Sequence, residues 1–156
     1  MPALVLVADD LTGALDSAVA FAARGMSVTV ARGAPALEAA LARDPQVLAL
    51  STGTREIPAA QARRIHAALA PRLAGTGAIL VKKVDSRLKG NIAAELDGLL
   101  AGDPRPVLAL PALPRLGRIV AAGQVTGHGV AMPIAVAPRL GRPARIPDCR
   151  SAAEMA

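Results

Sequence analysis

The chain opens on an unbroken apolar run, residues 3–8, that stops on two aspartates, Asp9 and Asp10. Directly after it Leu11, Ala14, Leu15, Ala18 and Val19 recur at helical spacing, so the stretch predicts a strand, a tight turn and a helix. A strand that is apolar at every position suits the middle of a parallel sheet covered on both faces, which makes this first strand central. The pattern then repeats. Gly25 breaks the helix before a strand at 26–31, and a short helix follows at 35–43. A second apolar run at 47–51, closing on Ser51, precedes a helix opened by Pro58 and reaching Leu73. Next come a strand at 78–84, a helix at 92–100 and a strand at 106–110. Connections too long for hairpins favour parallel pairing. The expected class is therefore α/β, a doubly wound, mostly parallel open sheet, Rossmann-like and three layers deep. From Arg115 onward the pattern loosens: 116–120 reads as a loop entering a short strand, and the glycine-rich stretch 124–136 as a hairpin.

Composition narrows the choices. At 156 residues the chain has the length of one domain, and with one Phe and no Tyr or Trp its core must be aliphatic. No run reaches the roughly 18 apolar residues of a membrane span, and no basic segment precedes the first apolar run, so a cytoplasmic protein is expected. The single Cys149 excludes an internal disulfide and a cysteine-cluster metal site. The net charge of +6 is uneven, with 11 basic against 9 acidic residues through Gly102 and 7 against 3 beyond it. Nucleic acid is the usual partner of such a balance, and the late arginines are what supports a basic nucleic-acid-binding module. Single-strand binding also calls for aromatic stacking platforms, which this chain almost lacks. A small anion or a partner surface fits better.

The polar residues that remain fall at strand ends. Asp9, Asp10, Arg55, Lys83, Asp85 and Asn91 all lie at or just past the carboxyl ends of the expected strands, where open parallel sheets bind ligands. Asp10 is placed to cap the following helix, and Asp16, one turn on, can face the same turn. Asp9 ends an apolar strand and loses hydration unless something pairs with it. Such a carboxylate cluster with Thr12 and Gly13 suits a polyol, an ammonium or a metal ion. Neither a dinucleotide fingerprint nor a phosphate-cradling G-x-x-x-x-G-K-[ST] loop occurs. Lys82 and Lys83 point to opposite faces, so one is expected to snorkel into water over a helix and the other to reach the crevice. Asp85 beside Lys83 reads as an ion pair if taken alone. Gly90 and Asn91 open a helix whose free N–H groups, beside Ser86 and Lys89, suit a carboxylate or a phosphate. His128, between two glycines, reads as a surface loop residue, and His66, within a helix, as structural.

Three spaced stretches carry a resemblance. Val7-Ala8-Asp9-Asp10-Leu11-Thr12-Gly13-Ala14, Lys83-Val84-Asp85-Ser86-Arg87-Leu88-Lys89-Gly90-Asn91 and Pro111-Ala112-Leu113-Pro114-Arg115-Leu116-Gly117-Arg118 resemble the amino-terminal domain of the four-carbon acid sugar kinase family. Thr54-Arg55-Glu56 is similar to that family's arginine loop. The resemblance implies a domain that holds a sugar acid such as threonate or erythronate, and a separate carboxyl-terminal domain that holds ATP with Mg2+. It implies that Asp9 and Asp10 hold substrate hydroxyls, that Arg55 and the 83–91 loop (Lys83, Asp85, Ser86, Lys89, Asn91) hold the carboxylate, and that Arg118 borders the site. The family shows Thr where Arg87 stands and Arg where Lys89 stands, and lysine cannot copy a bidentate guanidinium contact.

The expected protein is thus a sugar-acid-binding domain spanning residues 1–156, incomplete at its carboxyl end and without the nucleotide-binding domain. Its expected partners are a small anionic sugar acid, that second domain in cis or in trans, and a further copy of itself in a homo-oligomer. A stand-alone sugar-acid sensor is the alternative. At the carboxyl end, 144–147 reads as a strand and 148–155 as a helix announced by a Ser151/Glu154 capping box with little helix left to follow.

Overall fold

The computed structural model describes residues 1–155. Strands β1 (Leu4–Ala8), β2 (Val28–Arg32), β3 (Val47–Ser51) and β4 (Ile79–Lys83) form a four-stranded parallel sheet in the order β2-β3-β1-β4. The fully apolar first strand is central, as its pattern requires. Helix α1 (Leu11–Ala22) covers one face, seating the small residues Ala14 and Ala18 against Leu6, Ala8 and Ala49. The other face carries the larger core, where Val5, Val7, Leu48 and Leu50 meet Leu69 and Leu73 of α3 (Ala59–Ala74) and Ile92, Leu96 and Leu99 of α4 (Ile92–Leu99). The short α2 (Leu37–Leu41) adds the buried Leu37 and Ala40 to that core. This is the three-layer α/β arrangement expected of alternating strands and helices.

Register positions the site. Ala8, the last residue of β1, pairs with Ser51 on one side and Lys83 on the other, so the carboxyl ends of β3, β1 and β4 lie level. The loops that leave them, after Ala8, Ser51 and Lys83, therefore rise side by side.

Beyond the sheet the expectations need correction. Residues 106–110 do not form a fifth strand on the sheet: Ala109 donates to Arg145 O and Arg145 to Val107 O, each at 2.9 Å, making one parallel bridge at Leu108. Pro106 and Pro111 flank the segment and carry no N–H, which limits any longer ladder. Among the described residues the outer edge of β4 consequently has no strand partner and lies beside an apolar groove of about 470 Å³ lined by Ile79, Val81, Leu96, Leu100, Leu108 and Val136. The expected strand at 144–147 is reduced to that same bridge.

The hairpin does form, earlier than its pattern placed it. Strands β5 (Arg118–Ala121) and β6 (Gln124–Gly127) pair antiparallel across Ala122-Gly123, and β7 (Ile134–Ala135) adds to β6 before α5 (Val136–Leu140). The expected helix at 148–155 is a single 3-10 turn, Ala153–Met155. Half of its capping box forms, because Ser151 Oγ accepts from Glu154 N while the Glu154 carboxylate accepts from Arg150 N instead. No helix among the described residues is long and apolar enough to cross a membrane.

Helices α3 and α4 touch backbone to backbone at Gly98. A Cβ there would lie 2.3 Å from Arg63 O and 2.9 Å from Ala67 N. Gly98→Ala gains roughly 1 kcal/mol of helix propensity but incurs an overpacking penalty of about 1–3 kcal/mol against rigid backbone. The expected outcome is a net loss on the order of 1 kcal/mol, seen as a lower denaturant midpoint at unchanged m-value. A midpoint equal to or above the parent's would show that the helices part without cost.

Candidate functional site

The β1 end brings two carboxylates with different surroundings. Asp10 caps α1, its Oδ1 accepting from Gly13 N at 2.7 Å, while Asp9 is 1% exposed. The loop after β3 supplies what Asp9 lacks. Arg55 grips Asp9 with both sides of its fork, Nε to Oδ2 at 2.9 Å and Nη2 to Oδ1 at 2.8 Å, and reaches Asp10 Oδ2 with Nη1 at 2.6 Å. Bidentate pairing of this kind is what makes a buried carboxylate tolerable. The hydrogen bond to Asp9, reinforced by the charges of Asp9, Asp10 and Asp85, lifts the Arg55 guanidinium further above its usual value against the opposing effect of burial.

The loop after β4 closes over this clamp. Gly90, at φ +88°, lies so close that a Cβ would sit 2.8 Å from Asp9 Oδ2 and 3.5 Å from Arg55 Cγ. Just before it Leu88 adopts φ +55° with its side chain fully buried, a conformation uncommon for a leucine that the core packing holds in place. Asp85 Oδ1 accepts from the backbone N–H of Arg87 at 2.9 Å and, more weakly, of Lys89 at 3.4 Å. Burial acts to raise the Asp85 carboxyl; those N–H groups and the charges of Lys89 and Arg55 outweigh it and hold it below the ordinary carboxylate range. The side chain of Asn91 turns away from its own helix. Its Nδ2 donates to Thr54 O at 2.8 Å and Ile57 O at 2.7 Å, tying the two loops together.

Lys83, Ser86, Lys89 and Arg118 form the rim. Lys83 Nζ donates to Val84 O at 2.7 Å and lies beside Gly13 at the start of α1. The ion pair expected between Lys83 and Asp85 is not made, because Asp85 is turned toward the backbone of its own loop. Arg118, at the start of β5, donates through Nη1 to Ser86 Oγ at 2.7 Å and through Nε to His128 O at 3.0 Å, so the hairpin is fastened to the β4 loop. His128 contributes this carbonyl from an exposed loop. Arg87 and Lys89 project outward. Among the described residues none of Lys83, Arg87, Lys89 and Arg118 has a carboxylate within ion-pair distance. Asp16 is exposed on α1.

The buried side of the site was not foreseen. Lys82 does not snorkel into water; its Nζ lies 2.8 Å from Glu95 Oε2, off the ideal hydrogen-bond direction, with the two side chains 8% and 0% exposed. Glu95 Oε1 accepts from Thr54 Oγ1 at 2.5 Å. His66 is fully buried alongside, its Nδ1 at 2.9 Å from Ala62 O and its Nε2 without a partner. The sequence carries a signal for both residues. Glu95 falls on the apolar stripe of Ile92, Leu96 and Leu99, and His66 on that of Ala62, Leu69 and Leu73, and a polar residue on a buried stripe requires a partner. No cluster of three or more His, Cys, Asp or Glu side chains fit to hold a metal occurs among the described residues.

Comparison with known proteins bears on this geometry. The sequence profile of the family described as the sugar-binding N-terminal domain matches residues 4–140. The chain is 38% identical over 127 residues to a D-threonate kinase of Bordetella bronchiseptica, covering 78% of this chain and 31% of that protein. It is 34% identical over 130 residues to the D-threonate kinase of Salmonella typhimurium, covering 81% and 30%. A D-erythronate kinase of Heliobacterium modesticaldum is 29% identical over 133 residues, covering 83% and 30%. The chain thus spans less than a third of the length of these relatives. Among solved structures, a Bordetella bronchiseptica domain of unknown function, crystallised with bound citrate as a domain-swapped dimer, superposes with a TM-score of 0.84 at 27% identity. That match covers 97% of this chain and 49% of that one.

Arg55→Ala would strand the Asp9 carboxylate without a partner. Removing one member of a buried pair costs about 3–5 kcal/mol, and Arg55→Lys, a point charge in place of a fork, is expected to recover only a minor part. Urea unfolding checks both, and a loss below about 1 kcal/mol for Arg55→Ala would show that Asp9 does not depend on the clamp. His66 gives a pH signature. Burial, with Lys82 in support, pushes its imidazole down against the opposing pull of Ala62 O and Glu95. The unfolded chain therefore takes up the proton first, near the ordinary value of about 6.5. Stability is complete above that pH and falls as the pH drops below it. A His66→Leu variant should flatten this limb of the stability curve between pH 7 and 5; an unaltered slope would place the titration elsewhere.

Proposed function

Because the chain belongs to the sugar-binding N-terminal domain family, we propose that it holds the acceptor of an ATP-dependent kinase, a four-carbon sugar acid of the threonate or erythronate type. The observation that supports this reading is the rim of four cations, Lys83, Arg87, Lys89 and Arg118, which among the described residues have no carboxylate within ion-pair distance and stand over a level row of strand ends. Arg118 with Ser86, Lys83, Lys89 and the N–H groups that Arg55 does not spend on Asp9 and Asp10 provide donors for the acid's carboxylate. Asp85 Oδ2 and Asp10 accept from its hydroxyls, with Asp85 kept ionised by its loop N–H groups. Asp9, enclosed by Arg55 and Gly90, acts by aiming Arg55 rather than by touching substrate. Asn91 acts likewise, through Thr54 and Ile57. The citrate in the related Bordetella structure is a small polycarboxylate, consistent with an anion-binding crevice.

For the nucleotide and its Mg2+ the sequence offers no phosphate-cradling G-x-x-x-x-G-K-[ST] loop, and among the described residues no group of three or more His, Cys, Asp or Glu side chains is placed to hold a metal ion. We assign them to a second, nucleotide-binding domain that meets the crevice in cis or in trans, within a cytoplasmic and homo-oligomeric enzyme. This chain's residues bind and orient the acid: the cation rim neutralises its carboxylate, and Asp85 and Asp10 hold hydroxyls so that a remaining one faces that domain.

Calorimetric titration with D-threonate, D-erythronate, citrate and Mg-ATP tests the reading. Saturable binding of a sugar acid, and none of Mg-ATP, is expected. Asp85→Ala should weaken the acid about 10- to 100-fold, the worth of a charge-assisted hydrogen bond, with the circular dichroism unchanged. Failure of both sugar acids to bind, or ATP binding that no acid competes, would overturn it.

A further inference from the structure

Beneath the crevice lies a buried polar chain that touches no ligand position. Thr54 is its hub. Its N–H donates to Asp9 O at 2.9 Å, its carbonyl accepts from Asn91 Nδ2 at 2.8 Å, and its hydroxyl lies 2.8 Å from Thr52 Oγ1 and donates to Glu95 Oε1 at 2.5 Å. Thr52 Oγ1 in turn donates to Ala8 O at 2.9 Å. Every polar group of Thr54 is thus committed, to β1, to α4 and to its own loop. The next residue is Arg55, whose fork must meet Asp9 and Asp10 together. A guanidinium making three charge-assisted contacts tolerates little displacement of its Cα, since the planar fork fixes distance and angle at once.

Glu95 is the costly member. It is 0% exposed, and burying a carboxylate is tolerable only with a close counter-charge, here Lys82 Nζ at 2.8 Å. A hydrophobic pair of similar volume would serve packing as well or better. Stability therefore does not account for an acid at this position; the hydroxyl of Thr54 does, since it needs a strong acceptor that reaches it from α4. We propose that Glu95 is a positioning residue of the sugar-acid site, holding Thr54 and through it Arg55, with Lys82 as the cation that permits its charge. The inference rests on the proposed reading of the crevice only for its effect on ligand affinity. The aim of Arg55 is a property of the chain alone.

The test separates charge, acceptor and ligand. In the double variant Lys82→Met/Glu95→Leu the buried charges leave together and no acceptor remains for Thr54. In Lys82→Met/Glu95→Gln the charges leave and an acceptor stays. The Arg55 Nε–H resonance, assigned by its loss in Arg55→Lys, reports the clamp without any ligand. The Leu double variant and Thr54→Val are expected to move it to the position of free arginine and to speed its solvent exchange at least 10-fold. The Gln double variant and Thr54→Ser are expected to keep it near its parent position. Titration with D-threonate and D-erythronate should follow the same order, with at least 10-fold weaker binding where the resonance moves. An unmoved Arg55 resonance in the acceptor-deleted Lys82→Met/Glu95→Leu variant or in the donor-deleted Thr54→Val variant, or equal effects of Thr54→Ser and Thr54→Val, would overturn the proposal. A parent chain that binds neither acid would sink the sugar-acid reading alone and leave the resonance to decide on Glu95.

Discussion

The buried carboxylate of Asp9 is the constraint to which the surrounding structure answers. It ends a strand flanked by strands on both sides and covered on both faces, where its hydration is gone and only a fork of donors can replace it. Arg55 provides that fork, and its delivery requires β3 to end level with β1. Gly90 is required because no side chain fits between its backbone and Asp9. The left-handed Leu88, held by the core, is what swings Gly90 into that place. Asn91 then stitches the loop of β4 to the loop of β3. One charge placed in a dry position thus dictates three loop conformations.

Much of this was legible before any coordinates. The apolar runs at 4–8 and 47–50 announce strands buried on both faces, and both are interior to the sheet. Ala14 and Ala18 announce a helix that lies close on a sheet, and Asp10 its cap. Given a parallel sheet, the gathering of Asp9, Arg55 and Asp85 along one edge follows from where the strands end. Local period and strand polarity decide these features, and both are properties of short stretches of chain.

The errors have a common physical origin, a partner that no local pattern reveals. Residues 106–110 have a strand's composition and lie extended, yet their backbone finds Arg145 rather than β4. Asp85 stands two residues from Lys83 but finds its donors in its own loop, because N–H groups already aimed at it cost less order than a flexible ammonium. Lys82 has a stem long enough to reach water, and yet Glu95 holds it inside. Glu95 and His66 interrupt apolar stripes, which marks them as buried and polar while leaving their partners on another element unnamed.

The crevice therefore has two tiers with opposite electrostatic character. The lower tier pairs its charges within the protein, Asp9 and Asp10 with Arg55 and Glu95 with Lys82, and carries one carboxylate more than it has cations. The upper tier is open, and among the described residues none of Lys83, Arg87, Lys89 and Arg118 has a carboxylate within ion-pair distance, so an anion entering it gains Coulomb energy without first displacing an ion-pair partner. Arg87 and Lys89, where the resemblance leads one to expect Thr and Arg, fall in this upper tier. Asp85 accepts from the backbone of both residues and from neither side chain, so the shape of the loop does not depend on what those side chains are. Exchanging guanidinium and ammonium there changes the reach and denticity of the rim while the clamp below stays as it is. The side chains at Arg87 and Lys89 can therefore vary without disturbing the burial of Asp9 on which the fold of the site depends.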